Sequence, residues 1–171
     1  VPIVSTQNTG SSAQPAGSEP FIPATQSLPE ITLKGTILAV FLTIILTAAN
    51  AFLGLKVGLT ISASIPAAVF SMGALRFFKN SNILENNIVQ TAASTGEAVT
   101  SGIIFIIPAL IILKYWTDFN YIETAAIGVV GSILGVIFSI PLRRVLLADP
   151  NLKFPEGVAI GSVLKASESS G

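Results

Sequence analysis

The sequence has 171 residues, of which 51% are hydrophobic and 11% are charged, with nine Lys and Arg balancing nine Asp and Glu. Soluble domains use about 25% charged residues, so this composition excludes an ordinary water-soluble fold. Zero net charge without a basic cluster excludes nucleic acid as a partner. The sequence lacks Cys and His, which removes disulfides, zinc and haem ligation and His-based catalysis. We expect no cofactor and no metal site.

The first 30 residues differ from the rest of the chain. They hold five of the ten prolines, two acidic residues and no basic residue. Such a segment cannot bury enough surface to offset its ordering entropy, which predicts a disordered tail over residues 1–32. Residues 33–171 are predicted to form the membrane domain. Because the sequence starts with Val1 and ends within an expected helix, we interpret it as a piece of a longer protein.

Long apolar runs dominate the remaining residues, and a helix needs about 20 such residues to cross a bilayer. Four runs are close to that length: residues 35–55, 57–75, 88–113 and 124–142. Lys56, flanked by Gly54 and Gly58, separates the first two, and we favour a tight turn there over a kink. Pro155 and Glu156 then open a fifth helix, which the end of the chain truncates. The predicted fold class is an all-α, polytopic transmembrane bundle.

The basic residues predict the orientation of these four spans. Two of them fall on one side: Lys56 and Lys114. Six fall on the other: Lys34, Arg76, Lys79, Arg143, Arg144 and Lys153. The positive-inside rule therefore predicts that the N-terminus lies in the cytoplasm. We expect the protein to lie in the plasma or inner membrane. The adjacent Arg143 and Arg144 are expected to anchor the fourth helix at anionic lipid.

A polar stripe interrupts the third apolar run. Its candidate site residues are Asn87, Gln90, Ser94 and Glu97, which share one helical face about 120° wide. A polar stripe within a membrane helix should face a bundle interior or a wet cavity. Glu97 would lie about 16 Å along a helix that starts near Asn86. A carboxyl group at that depth is a candidate to exchange a coupling proton or to bind substrate.

A second interpretation of the same residues is local. Ser94 and Glu97 have the S-x-x-E spacing of a capping box, so the helix could break at Ser94 and restart. The two interpretations are compatible, because broken helices that face a cavity are common in secondary transporters. A break at Ser94 would offer backbone amides to a substrate carboxylate.

Glycine spacing indicates close helix packing rather than chemistry. Gly54 with Gly58, and Gly131 with Gly135, have the GxxxG spacing that lets membrane helices approach. No nucleophile elbow, phosphate-binding loop or HExxH motif occurs in the sequence. We therefore expect no enzyme.

Three stretches, in this order, resemble the oligopeptide transporter family, particularly its prokaryotic branch, which is related to the yellow stripe-like metal–chelate transporters. They are residues 50–60 (NAFLGLKVGLT), 87–97 (NIVQTAASTGE) and 154–159 (FPEGVA). The resemblance implies a proton-coupled symporter of more than a dozen helices that moves small peptides or metal–chelate complexes. This chain would be its N-terminal part, with the lipid bilayer, the substrate and the remaining helices as partners. Within the matching motifs, Asn87, Gln90, Ser94 and Glu97 would line the cavity, and Glu156 is a weaker candidate.

Two other hypotheses fit the residues. The chain could be a small four-helix transporter that works as a homo-oligomer, since a lone membrane Glu and GxxxG faces suit that architecture. It could also be a non-transporting membrane scaffold subunit, whose polar residues pair with a partner helix and stay dry. The choice between proton and sodium coupling is left open by the sequence.

Overall fold

The computed structural model describes residues 21–23, 25–78, 81–147, 149 and 151–168. Within them the chain forms five helices and no strand: α1 (Leu33–Val57), α2 (Ser64–Leu75), α3 (Ile83–Ile112), α4 (Tyr121–Leu146) and α5 (Pro155–Glu168). α1, α3 and α4 are long and apolar enough to cross a membrane. The predicted all-α membrane bundle is confirmed.

Side-chain caps set where the three long helices begin. The Thr32 hydroxyl accepts a hydrogen bond from the Gly35 N–H at 3.0 Å, and Asn82 Oδ1 accepts from the Glu85 N–H at 2.9 Å. At α4, Asn120 Oδ1 accepts from two first-turn amides at 3.2 and 3.3 Å. Each cap satisfies amides that a helix start leaves without an intrahelical partner.

α1 ends where the turn between the first two apolar runs was predicted. Gly58 adopts a left-handed conformation with φ 75°, and its N–H donates to the Gly54 carbonyl at 3.0 Å. Glycine tolerates this conformation because it has no Cβ. Gly58 therefore ends α1 in a turn, and the alternative of one kinked helix through Lys56 is wrong.

The second predicted span, residues 57–75, is not one continuous helix. Residues 58–63 are non-helical, and α2 has only 12 residues, about 18 Å of helix. The described chain thus has three candidate membrane spans where the apolar runs predicted four. The ion pair between Lys34 and Glu85 joins the starts of α1 and α3, so the chain returns along the bundle between these two helices. We call the segment that does so, residues 58–63 with α2, the discontinuous crossing.

Helix directions follow from the contacts. α1 and α3 run parallel, because Lys34 meets Glu85 at their starts and Gly54 packs against Ile104 further along. α2 runs antiparallel to α3 from Ser94 back to Asn86. We call the end of the bundle where α1 and α3 begin the N-terminal face.

α3 is the central helix, with contacts to all four others. It approaches α1 closely at Gly96, where an added Cβ would lie 2.3 Å from Thr43 Cγ2. The core of α1, α2 and α3 consists of Ala39, Leu42, Ala67, Leu75, Val89 and Ala93. α4 packs only on α3 within the described chain, and nearly all of its side chains are exposed.

The predicted tail is described only from residue 21 onward, without residue 24. Ile22 packs against the small cluster of Ala68, Ile83 and Leu164, and the Pro29 carbonyl accepts a hydrogen bond from Asn82 Nδ2 at 2.8 Å. Residues 1–20, most of the tail predicted as disordered, lie outside the described residues. So does Lys79, one of the six basic residues used to predict orientation.

Candidate functional site

The side of α3 that packs against α2 includes one residue of the polar stripe, Ser94. Near the end of α2, Ser71 Oγ donates to Asn86 Oδ1 at 3.0 Å, and at its start Ser64 Oγ lies 2.8 Å from Ser94 Oγ. Gln90 lies between these two contacts and is 7% exposed. Ser94 is therefore the stripe residue in contact with α2, whereas Asn87 of the same stripe is exposed.

The predicted break at Ser94 is absent. α3 is continuous from Ile83 to Ile112, so the amides near Ser94 are used within the helix, and Ser94 pairs with Ser64 instead of capping. The S-x-x-E spacing was misleading because the flanking residues favour a continuous helix packed on α1. The proposed amide donors at Ser94 are therefore wrong for this position.

The helical structure is instead interrupted at residues 58–63, opposite Ser94. The non-helical residues 58–63 are held by Asn50 of α1, which is 4% exposed. Its Nδ2 donates to the Ile61 carbonyl at 2.7 Å, and its Oδ1 accepts from the Ile61 N–H at 3.0 Å. Non-helical backbone at membrane depth is tolerated only where protein or water satisfies its polar groups, and Asn50 does so for both groups of Ile61.

Two helices begin together at this break. The Ser62 hydroxyl donates to Glu156 in the first turn of α5 and lies 3.2 Å from Ser64 Oγ at the start of α2. Ala63, the N-cap of α2, supplies no side-chain cap. Helix N-termini carry partial positive charge. The start of α2, the start of α5 and Ser94 of α3 thus form one polar junction, which we call the helix-start junction.

Glu97 lies one turn of α3 beyond Ser94, on the same stripe. It is 9% exposed, and Ser101 Oγ donates to its Oε1 at 2.8 Å. No Lys or Arg in the described ranges lies within ion-pair distance of it. It lies 14 positions after Ile83 and 15 positions before Ile112, so it occupies the middle of α3.

The other two predicted residues form a separate pair. Gln90 Nε2 donates to Asn87 Oδ1 at 3.1 Å and to Thr91 Oγ1 at 3.0 Å, while Asn87 is exposed. Asn87, Gln90, Ser94 and Glu97 thus share a face, but only Asn87 and Gln90 bond to each other. The four residues therefore form three separate contacts along α3: Asn87 with Gln90, Ser94 with Ser64, and Glu97 with Ser101.

Sequence reasoning missed a buried acid. The Glu85 carboxylate is fully buried, forms an ion pair with Lys34 at 3.2 Å and accepts a hydrogen bond from the Thr32 hydroxyl. The signal was the Asn82-x-x-Glu85 spacing of a helix start. Sequence reasoning likewise did not assign Ser62 and Ser64, although Gly58 and Pro66 in one apolar run were signs of the break.

These features define a multi-pass helical membrane protein in which a discontinuous crossing places helix starts beside a polar stripe. A match to the family described as OPT oligopeptide transporter protein covers residues 30–171. The chain belongs to the OPT oligopeptide transporter family.

A relative from Haemophilus influenzae, named "Putative oligopeptide transporter", is 53% identical over 115 residues. That alignment covers 67% of this chain and 18% of the relative, so the chain spans only a minor part of the relative's length. No solved structure matches the chain.

Proposed function

We propose that this chain is the N-terminal part of a proton-coupled symporter for small peptides or metal–chelate complexes. Family membership and the name of the relative support membrane transport of peptides. The observation that carries the coupling proposal is Glu97, a buried carboxyl group in the middle of α3 with no cation beside it among the described residues.

The helix-start junction is the proposed point of substrate contact. The partial positive charge at the starts of α2 and α5 suits a substrate carboxylate, while the Glu156 carboxylate suits an amino group. Peptides and small amino-acid chelators carry both groups. Asn87 and Gln90, one to two turns toward the N-terminal face, would add polar contacts along the path. Discontinuous crossings serve this purpose in other secondary transporters.

Glu97 is the proposed coupling group. A charged carboxylate in the membrane interior is costly without a partner, and its one hydrogen-bond donor here is the Ser101 hydroxyl. Binding of a proton or of a cationic substrate group removes that cost. The carboxyl group lies one turn from the junction through Ser94, so its protonation and substrate binding would influence each other.

The test uses the full-length transporter reconstituted in vesicles. Glu97→Gln keeps the size and the hydrogen bond to Ser101 but cannot ionise, so we expect loss of uptake driven by a proton gradient. Exchange of substrate across the membrane without a gradient should persist. Glu123→Gln, at an exposed acid in the first turn of α4, is the matched control and should leave both activities unchanged.

Uptake by Glu97→Gln that still follows the proton gradient would refute the coupling role. Replacing the proton gradient by a sodium gradient tests the other coupling ion. Accessibility separates transport from a scaffold role: a Cys placed at Ser94 should react with aqueous thiol reagents and be protected by substrate. An unreactive Cys at this position would favour a dry helix interface.

The proposed location is the plasma or inner membrane, with the N-terminus in the cytoplasm. Of the six basic residues that predict this orientation, Lys34, Arg143 and Arg144 lie near the N-terminal face. Reagents that label Cys from one side only, applied to a Cys at Asn120 and to one at Ser27, would test the orientation directly.

A further inference from the structure

A cleft of about 820 Å³ separates α3 from α4. Two helical stripes line it, one from Thr95 to Ile107 and the other from Ile127 to Arg144, and most of the lining is apolar. It lies apart from the helix-start junction, whose residues Ser62, Ser64 and Glu156 do not line it. Transport of the proposed substrate does not account for this cleft.

Glycines create the space in the cleft. At Gly128 the two helices touch, because an added Cβ would lie 3.0 Å from Ile103 Cδ1. One and two turns further along, Gly131 and Gly135 face the cleft with nothing within 4 Å of an added Cβ. The GxxxG spacing predicted close packing. This prediction is wrong for Gly131 and Gly135, which line open space among the described residues; the close contact between α3 and α4 lies at Gly128 instead.

The end of the cleft toward the N-terminal face is cationic. Arg143 and Arg144 both line it, and neither forms an ion pair in the part of the chain that the structure describes. An apolar cleft with two unpaired guanidinium groups at one end complements an amphiphile with an apolar tail and an anionic head. Guanidinium groups also match phosphate oxygens in geometry.

The length of the cleft is compatible with a phospholipid. Arg143 lies 15 residues after Gly128 on α4, which corresponds to about 22 Å of helix. Half of a bilayer, counting its headgroups, is about 20–22 Å thick. The cleft is therefore long enough to hold one acyl chain of a phospholipid whose headgroup lies at Arg143 and Arg144.

We propose that the cleft is a binding site for one anionic phospholipid. Its acyl chain lies along Gly131 and Gly135, and its phosphate is held by Arg143 and Arg144. Each basic residue near an anionic lipid contributes about 1 kcal/mol, so removing both should weaken lipid retention about 30-fold.

The experiment is native mass spectrometry of the full-length transporter, released from micelles with phosphatidylglycerol or phosphatidylcholine. We expect one retained phosphatidylglycerol and weaker retention of phosphatidylcholine. The double change Arg143→Gln and Arg144→Gln should lower retention about 30-fold. Gly131→Leu, which fills the cleft and keeps both charges, should also lower it. Lys56→Gln, at an exposed lysine on the opposite side of the bundle, is the control and should have no effect.

A second measurement keeps the proposal testable if a variant fails to fold. A photoreactive side chain at Val136, which lines the cleft, should capture a lipid mass in the otherwise unchanged transporter. Capture of another segment of the transporter would overturn the proposal and show a helix in the cleft. Equal retention of both lipids, or retention unchanged by Gly131→Leu, would also overturn it.

Discussion

Gly96→Ala tests the close approach between α1 and α3 at Gly96. The added methyl group would lie 2.3 Å from Thr43 Cγ2, which is 1.1 Å inside the 3.4 Å at which ordinary contact begins. Its next neighbour, Thr47 Oγ1, is at 3.3 Å and needs to move little. One methyl group of Thr43 therefore accounts for nearly all of the clash.

The loss of stability expected for Gly96→Ala has a matched control and a compensating substitution. Overpacking of this kind costs about 1–3 kcal/mol, measured relative to Gly73→Ala. Gly73 is the matched control because it is also helical and has nothing within 4 Å of an added Cβ. Thr43→Ser removes Cγ2 and keeps the hydroxyl that donates to the Ala39 carbonyl at 2.7 Å. Combined with Gly96→Ala, it should recover about 1–2 kcal/mol, a coupling expected of residues in contact.

The assay is unfolding of the four variants of the full-length protein in detergent, with hydrogen exchange of α1 and α3 as a local readout. Gly96→Ala should unfold more readily and exchange faster in both helices, and the double variant should do neither. Equal stability of Gly96→Ala and Gly73→Ala would refute the close approach. A clash that Thr43→Ser fails to relieve would show that another neighbour is responsible.

Three further changes test other contacts. Asn50→Leu leaves both backbone groups of Ile61 unpaired, so it should lower stability by about 2–4 kcal/mol and speed hydrogen exchange in residues 58–63; unchanged exchange would contradict the bracing role. Glu85→Ala removes the buried partner of Lys34 and should cost about 3 kcal/mol in thermal unfolding, more than the same change at exposed Glu123. Asn120→Ala removes the cap of α4 and should cost about 1 kcal/mol, without affecting substrate exchange.

Helix identity and the polar stripe could be predicted from the sequence because both depend on local patterns. Apolar runs of about 20 residues or more predict α1, α3 and α4, and the spacing of Gln90, Ser94 and Glu97 puts them on one face. Gly58 predicted the end of α1 because glycine readily adopts the left-handed conformation that ends a helix, which depends on the local sequence alone. These features need no knowledge of which helices are neighbours.

The broken crossing could not be predicted from the same patterns. Residues 57–75 are as apolar as a spanning helix, and hydropathy does not report that Asn50, several residues earlier, satisfies the backbone of Ile61. The misplaced break at Ser94 has the same origin: its hydroxyl has a tertiary partner in Ser64. The hydrogen bond between Ser62 and Glu156 also depends on the fold, because the two residues are 94 positions apart in sequence.

The short α2 has a consequence for how the protein is made. A helix of 12 residues falls well below the length at which a segment partitions into the bilayer unaided, and the backbone of residues 58–63 has polar groups that lipid cannot satisfy. This crossing should therefore enter the membrane only when α3 is present to cover it. During synthesis, α1 should insert first, and the segment after it should wait near the membrane surface until the ribosome has released α3. The parallel orientation of α1 and α3 depends on that late step, so the correct topology of these three crossings is established together.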